Sequence, residues 1–215
     1  MRILTREAAM SIKKLVYVVG ASCLILSPRV AEAKETLVEL AKRLAPQPVL
    51  IEKQRELVPS AFEPMVSDAD LIVHATVKPI RTYLSDDKFE LFTDYAVTPL
   101  RTLYQRNVRS ARVPGAAAPI VLTVWGGRTQ IEGVEVELRD KDAPRLEDDS
   151  EVVLYLREQP NGFYRLVSDV TGALGVKAGK VTLLNNEHAY DTGFQGLSGL
   201  TIDQLDSEVG RRLKR

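Results

Sequence analysis

Apolar positions change their spacing several times along this chain, and each change predicts a different element. Leu15 to Ser27 is close to a continuous apolar run, preceded by the basic residues Arg2, Arg6, Lys13 and Lys14. Lys34 to Leu44 follows helical spacing, with Leu37, Val38, Leu40, Ala41 and Leu44 on one stripe. Pro46 and Pro48 stop that helix, and Val49 to Leu57 fits neither period. Ser60-Ala61-Phe62-Glu63 has the order of a capping box for a second short helix, which Pro64 limits to a turn or two.

From Asp70 the period is two. Leu71, Val73, Ala75 and Val77 alternate with Ile72, His74, Thr76 and Lys78, the pattern of a strand with two unlike faces. Ser85-Asp86-Asp87 supplies a turn into a long strand from Phe89 to Pro99, where Tyr95 and Val97 face one way and Asp94 and Ala96 the other. Pro119 to Trp125 is an apolar run closed by Gly126-Gly127, and Ile131 to Leu138 alternates again. Glu151 to Leu156, Phe163 to Val167, Ala173 to Val176 and Val181 to Leu184 are further strands. Asn161-Gly162 and Lys177-Ala178-Gly179-Lys180 read as hairpin turns. Seven or eight strands at this spacing predict a mainly β fold, a closed or nearly closed antiparallel barrel. A Gly-containing linker (191–200) then leads to a C-terminal helix (201–215). Thr201 and Gln204 form its capping box, Ile202, Leu205, Val209 and Leu213 its apolar side, and Arg211, Arg212, Lys214 and Arg215 its basic end. Such a helix is expected to pack on its own domain rather than on a membrane.

The N-terminal run decides where the chain is expected to work. Basic residues, an apolar stretch of about 13 residues, and Ala31-Glu32-Ala33 as a small-x-small site make residues 1–33 a secretory signal peptide, cleaved near Ala33. The stretch is shorter than the roughly 20 residues a spanning helix needs. Cys23 raises a lipoprotein alternative, disfavoured by Gly20 at a position that prefers a bulky residue and by Leu24-Ile25-Leu26 continuing beyond the cysteine. Met10 is an alternative start, since Ser11-Ile12-Lys13-Lys14 makes a cleaner basic region. The expected organisation is then leader (1–33), helical and linker segment (34–58), barrel (59–190), linker and helix, in a periplasmic or extracellular protein.

Processing changes the chemistry on offer. The leader removes the only cysteine, so disulfides and thiolate chemistry leave with it. It also takes five of the 29 Lys/Arg but two of the 29 Asp/Glu, which leaves a weakly acidic chain with no bulk attraction for nucleic acid.

Candidate residues are few. Arg101, Arg106, Arg109 and Arg112 cluster around Tyr104 in the expected loop after the second strand, a combination that can hold single-stranded nucleic acid or an anionic glycan. Export disfavours nucleic acid, and a solvated loop is the default reading. His74 falls mid-strand without a second ligand at i+2 or i+4, so it reads as a packed or surface histidine. His188, with Glu187 beside it and Asp191 three residues on, is the one trio that could assist a base or hold a metal. Asp191-Thr192-Gly193 copies an aspartic-protease tripeptide but does not follow a buried apolar strand. Gly196-Leu197-Ser198-Gly199 has its second glycine one place early for a nucleophile elbow, and Gly193, Gly196 and Gly199 form no dinucleotide fingerprint. The acidic stretch from Asp140 to Glu151 lacks the ligand order and central glycine of a calcium loop. No metal or cofactor is expected.

Ser67-Asp68-Ala69-Asp70-Leu71-Ile72-Val73, Phe92-Thr93-Asp94-Tyr95, Trp125-Gly126-Gly127 and Glu151-Val152-Val153-Leu154-Tyr155-Leu156 resemble a group of uncharacterised exported bacterial proteins. Their order over roughly residues 60 to 184 also resembles the oligonucleotide/oligosaccharide-binding (OB) barrel of the tissue inhibitors of metalloproteinases (TIMPs). The resemblance implies an OB-like, TIMP-like barrel. Zinc chelation by an N-terminal cysteine does not carry over, because the expected mature chain has none. The sequence thus leads to an exported, non-enzymatic barrel module that binds a protein or glycan through its loops. A hydrolase built around His188 and Asp191, or an envelope structural protein, are the alternatives.

Overall fold

The computed structural model describes residues 35–53, 61–106, 120–141, 143–184 and 194–214. Helix α1 (Leu37–Leu44) starts where Thr36 caps it: Thr36 Oγ1 accepts from Glu39 N–H at 3.3 Å, and the Glu39 carboxylate accepts from Thr36 N–H at 2.9 Å. Val49–Lys53, whose spacing was ambiguous, is strand β1. Helix α2 (Phe62–Asp68) begins from Ala61, which makes no side-chain cap; Ser60 of the expected capping box lies outside the described residues. Strands β2 (Leu71–Leu84), β3 (Leu91–Gln105), β4 (Ile120–Trp125), β5 (Gly127–Ile131), β6 (Val134–Asp140), β7 (Ser150–Glu158), β8 (Tyr164–Leu166), β9 (Ala173–Lys177) and β10 (Lys180–Leu183) follow, and helix α3 (Ile202–Leu213) ends the fold.

Five strands close into a barrel in the order β7-β2-β3-β4-β8, with β8 returning to β7. The expected all-antiparallel pairing needs one correction. β8 lies antiparallel to β7 but parallel to β4, through Leu122 and Tyr164, and this parallel bridge closes the ring. The β9–β10 hairpin extends from β7.

The alternating stripe Leu71, Val73, Ala75 and Val77 fills the barrel interior together with Val97, Leu122, Leu154 and Leu156. β7 is buried on both faces. Val152, Leu154 and Leu156 point into the barrel, while Val153 and Tyr155 join the layer under α2 and α3, which accounts for its unbroken apolar run. Each such side chain, fully buried, contributes about 1.5–3 kcal/mol relative to exposure.

β3 runs past Pro99 to Gln105, beyond the expected strand end. A register shift between His74 and Ala75 falls where Pro99 sits opposite Ala75, and another falls between Pro79 and Arg81. A proline has no N–H to give to a ladder, and a bulge beside it removes the need for one.

β5 was not expected as a separate strand. The expected strand Ile131–Leu138 spans a hairpin turn at Glu132 (φ 51°) and Gly133 (φ 80°), a pair with the left-handed conformations of a type I′ turn. β5, β6 and β1 make a second, three-stranded sheet, with β1 parallel to β6. One face of this sheet packs with α1 in a core that includes Leu37, Ala41, Val136 and Leu138.

α3 carries the expected capping box and buries Leu205 and Val209 on the same layer as Phe62, Met65 and Tyr155. Phe194 and Leu197, in the expected linker, are buried there too, while Gly196, Ser198 and Gly199 between and after them are exposed. Among the described residues, no helix is long and apolar enough to cross a membrane.

Candidate functional site

The lone tryptophan marks the place where the barrel gives way to the small sheet. β4 ends at Trp125, and the chain turns through Gly126 (φ 92°) and Gly127 (φ 134°) into β5. Both glycines hold backbone conformations that L side chains rarely adopt. The bend opens a cleft of about 340 Å³ between the barrel end and the small sheet. Thr93, Tyr95 and Val124 form the barrel side.

Arg128, Glu137 and Arg139 come from the face of the small sheet opposite its apolar core, and residues 143–147 close the third side. Arg128 donates to Glu137 at 2.8 Å, and the other oxygen of Glu137 lies 4.0 Å from Arg139, which also binds Glu52. Glu137 therefore sits between two guanidinium groups, and its interaction raises the Arg128 pKa further. Arg145 and Glu147, at the lip, are exposed and carry no ion pair among the described residues.

The hydroxyl groups that reach the cleft are already engaged. Thr93, itself buried, donates to Gly126 O at 2.8 Å and lies 3.0 Å from Thr82 Oγ1. Tyr95 donates to Leu146 O at 3.4 Å, and burial pushes its phenol above the ordinary tyrosine range. No histidine, cysteine or lysine is among the described lining residues. Those described residues include three arginines, matched by Glu137, Asp140 and Glu147, beside apolar surface from Tyr95, Val124 and Leu146. Chemically this is a set of planar forks beside aromatic and aliphatic surface.

The described arginines of the cluster expected from the sequence, Arg101 and Arg106, lie away from this cleft. Arg101 and Tyr104 belong to β3, and Arg106 follows its last residue, so these positions are strand rather than loop. Arg101 donates to Asp203 and Asp206 of α3, which fastens the helix to the barrel. Arg106 donates to Ser67 O and to Asp70 at 3.4 Å, tying the end of α2 to β3. Tyr104 is half-buried against the layer under the helices. Arg109 and Arg112 lie outside the described residues, as do His188 and Asp191.

His74 Nε2 is 2.6 Å from Glu151 Oε1, a pairing between β2 and β7. Within the acidic stretch, Asp140 lines the cleft and Asp142 lies outside the described residues. Among the described residues, no three potential metal ligands gather.

Sequence reasoning therefore missed the cleft. Its one local signal was a single tryptophan followed by two glycines. No protein-family model, curated protein or solved structure matches the chain.

Proposed function

We propose that this chain is an exported, non-catalytic barrel module of the OB-like kind that binds a glycan in the cleft beside Trp125. The observation that carries the reading is the composition of that cleft. Charge-balanced polar side chains surround apolar surface from Tyr95, Val124 and Leu146, while the Trp125 ring at the border packs against the small-sheet core beneath Lys53. A saccharide presents hydroxyl groups that forked donors and acceptors can take in pairs, and C–H faces that rest on aromatic rings. Free donors and acceptors at Arg145 and Glu147 complement such a ligand without a net charge requirement. The five-stranded closed barrel supports the OB-like part of the proposal. The commitment of the cleft's hydroxyl groups to structural hydrogen bonds supports binding over bond cleavage.

Trp125 is the only tryptophan in the chain and borders the cleft with its ring packed against the small-sheet core, so its emission reports changes at the cleft's edge. Titration of the purified protein with neutral trisaccharides (cello-, malto- and chito-) is expected to give a saturable change with at least one. Arg145→Ala combined with Glu147→Ala is expected to weaken that response at an unchanged melting temperature. No saturable change with any of them, or one with neutral tripeptides alone, overturns the glycan reading. Release of shortened saccharide would replace it with a hydrolase.

A further inference from the structure

A second constellation lies on the outer face of the barrel, and it is built around a buried carboxylate. Asp94 is 1% exposed. It accepts from Arg81 Nε at 2.8 Å, from Thr123 Oγ1 at 2.7 Å and from Tyr83 OH at 3.4 Å. Register explains the meeting: Arg81, Asp94 and Thr123 lie directly opposite one another on β2, β3 and β4. A buried carboxylate with a single weak partner would be costly, and three donors make this one tolerable.

The arrangement fixes the guanidinium. Arg81 uses Nε on Asp94, while its side chain remains 61% exposed and its two terminal nitrogens have no hydrogen-bond partner among the described residues. Its Cζ lies 4.9 Å from the centre of the Tyr83 ring, and that ring is 6.1 Å from Phe92, tilted by 33°. The register shift between Pro79 and Arg81 is the kind of bulge that re-aims a side chain. Lys78, opposite Ala96, stands on the same face and is exposed.

We propose that Arg81, with Tyr83 and Phe92 beside it, binds a carboxylate carried on a sugar ring, as in a hexuronate-containing oligosaccharide. The free edge of the guanidinium takes the carboxylate through two parallel hydrogen bonds. The neighbouring aromatic pair receives the apolar face of the ring. A polyanion such as nucleic acid needs a run of phosphate contacts, and this face offers one oriented fork and one lysine. The site uses the opposite face of β3 from Thr93 and Tyr95, so it is independent of the cleft.

The test is calorimetric titration of the purified protein with tri-galacturonate, its fully methyl-esterified form and a hexaglutamate peptide. The acid is expected to bind, and the ester and the peptide to bind about tenfold or more weakly. Arg81→Lys keeps the charge but loses the fork, and a loss of about tenfold or more in affinity is expected at a similar melting temperature. Arg145→Ala is expected to leave this binding unchanged. No binding of the acid, equal binding of the ester or peptide, full affinity in Arg81→Lys, or loss in Arg145→Ala overturns the proposal. Should Arg81→Lys fail to fold, Phe92→Leu is the substitute, expected to weaken the acid through the lost ring while Asp94 keeps all its donors.

Discussion

Tyr155 is among the largest fully buried side chains of the described residues, and its hydroxyl has no hydrogen-bond partner among them. Its ring is in edge contact with Phe62 at 6.2 Å, in the layer beneath α2 and α3. A buried hydroxyl without a partner costs about 1–3 kcal/mol of desolvation. Tyr155→Phe is therefore expected to leave stability unchanged or raise it by up to about 1 kcal/mol, read from the urea midpoint at constant slope. Burial also pushes the phenol far above the ordinary range, so the folded state keeps a proton that the unfolded chain gives up. Stability from this group is complete below the unfolded value of about 10 and falls as pH rises above it. The Phe variant should accordingly lose less stability at alkaline pH, although Tyr83, Tyr95 and Tyr164, also raised by burial, keep part of the slope. A clear loss of stability in Tyr155→Phe at neutral pH would mean that the hydroxyl is satisfied after all.

At the scale of elements, α3 shows which parts of a helix are written locally. Thr201 Oγ1 accepts from Gln204 N–H at 3.3 Å, and the Gln204 side chain accepts from Thr201 N–H at 2.9 Å. Thr201→Ala should cost about 1 kcal/mol and Thr201→Ser much less, measured by chemical denaturation. An equal loss in both would place the effect in the bridge between Thr201 and Lys180 instead. The capping box and the Leu205 and Val209 side of this helix were legible, because both depend on spacings of three and four residues. The same holds for Leu71, Val73, Ala75 and Val77, where a barrel interior imposes strict alternation. What the helix docks on was not legible. Arg101 looked like part of a basic patch because its carboxylate partners, Asp203 and Asp206, lie 102 and 105 positions away. β5 escaped notice for a different reason: Arg128, Thr129 and Gln130 give an edge strand little apolar period to read.

The whole molecule turns on the joint between its two sheets, and there the sequence offered only Trp125-Gly126-Gly127. The cleft walls meet through partners far apart in the chain, such as Arg139 with Glu52 and Tyr95 with Leu146, which no local pattern can announce. Gly127 is where the requirement becomes steric. A Cβ at this residue would stand 2.0 Å from Thr93 Oγ1 and 2.9 Å from Thr82 Cγ2. Thr93 cannot simply turn away, since its hydroxyl is hydrogen-bonded to Gly126 O and is itself buried. Strain at φ 134° adds to the clash. Gly127→Ala is thus expected to cost at least about 2 kcal/mol, from overpacking and backbone strain together. Gly133→Ala is the matched control, because Gly133 also has positive φ but nothing lies within 4 Å of a Cβ there. It should show the strain alone, about 1–2 kcal/mol. Denaturant midpoints of the two variants decide the matter. A larger loss for Gly127→Ala locates the constraint in the packing of the joint, whereas equal losses would mean that the small sheet shifts freely and that the cleft owes its shape to something other than this close approach.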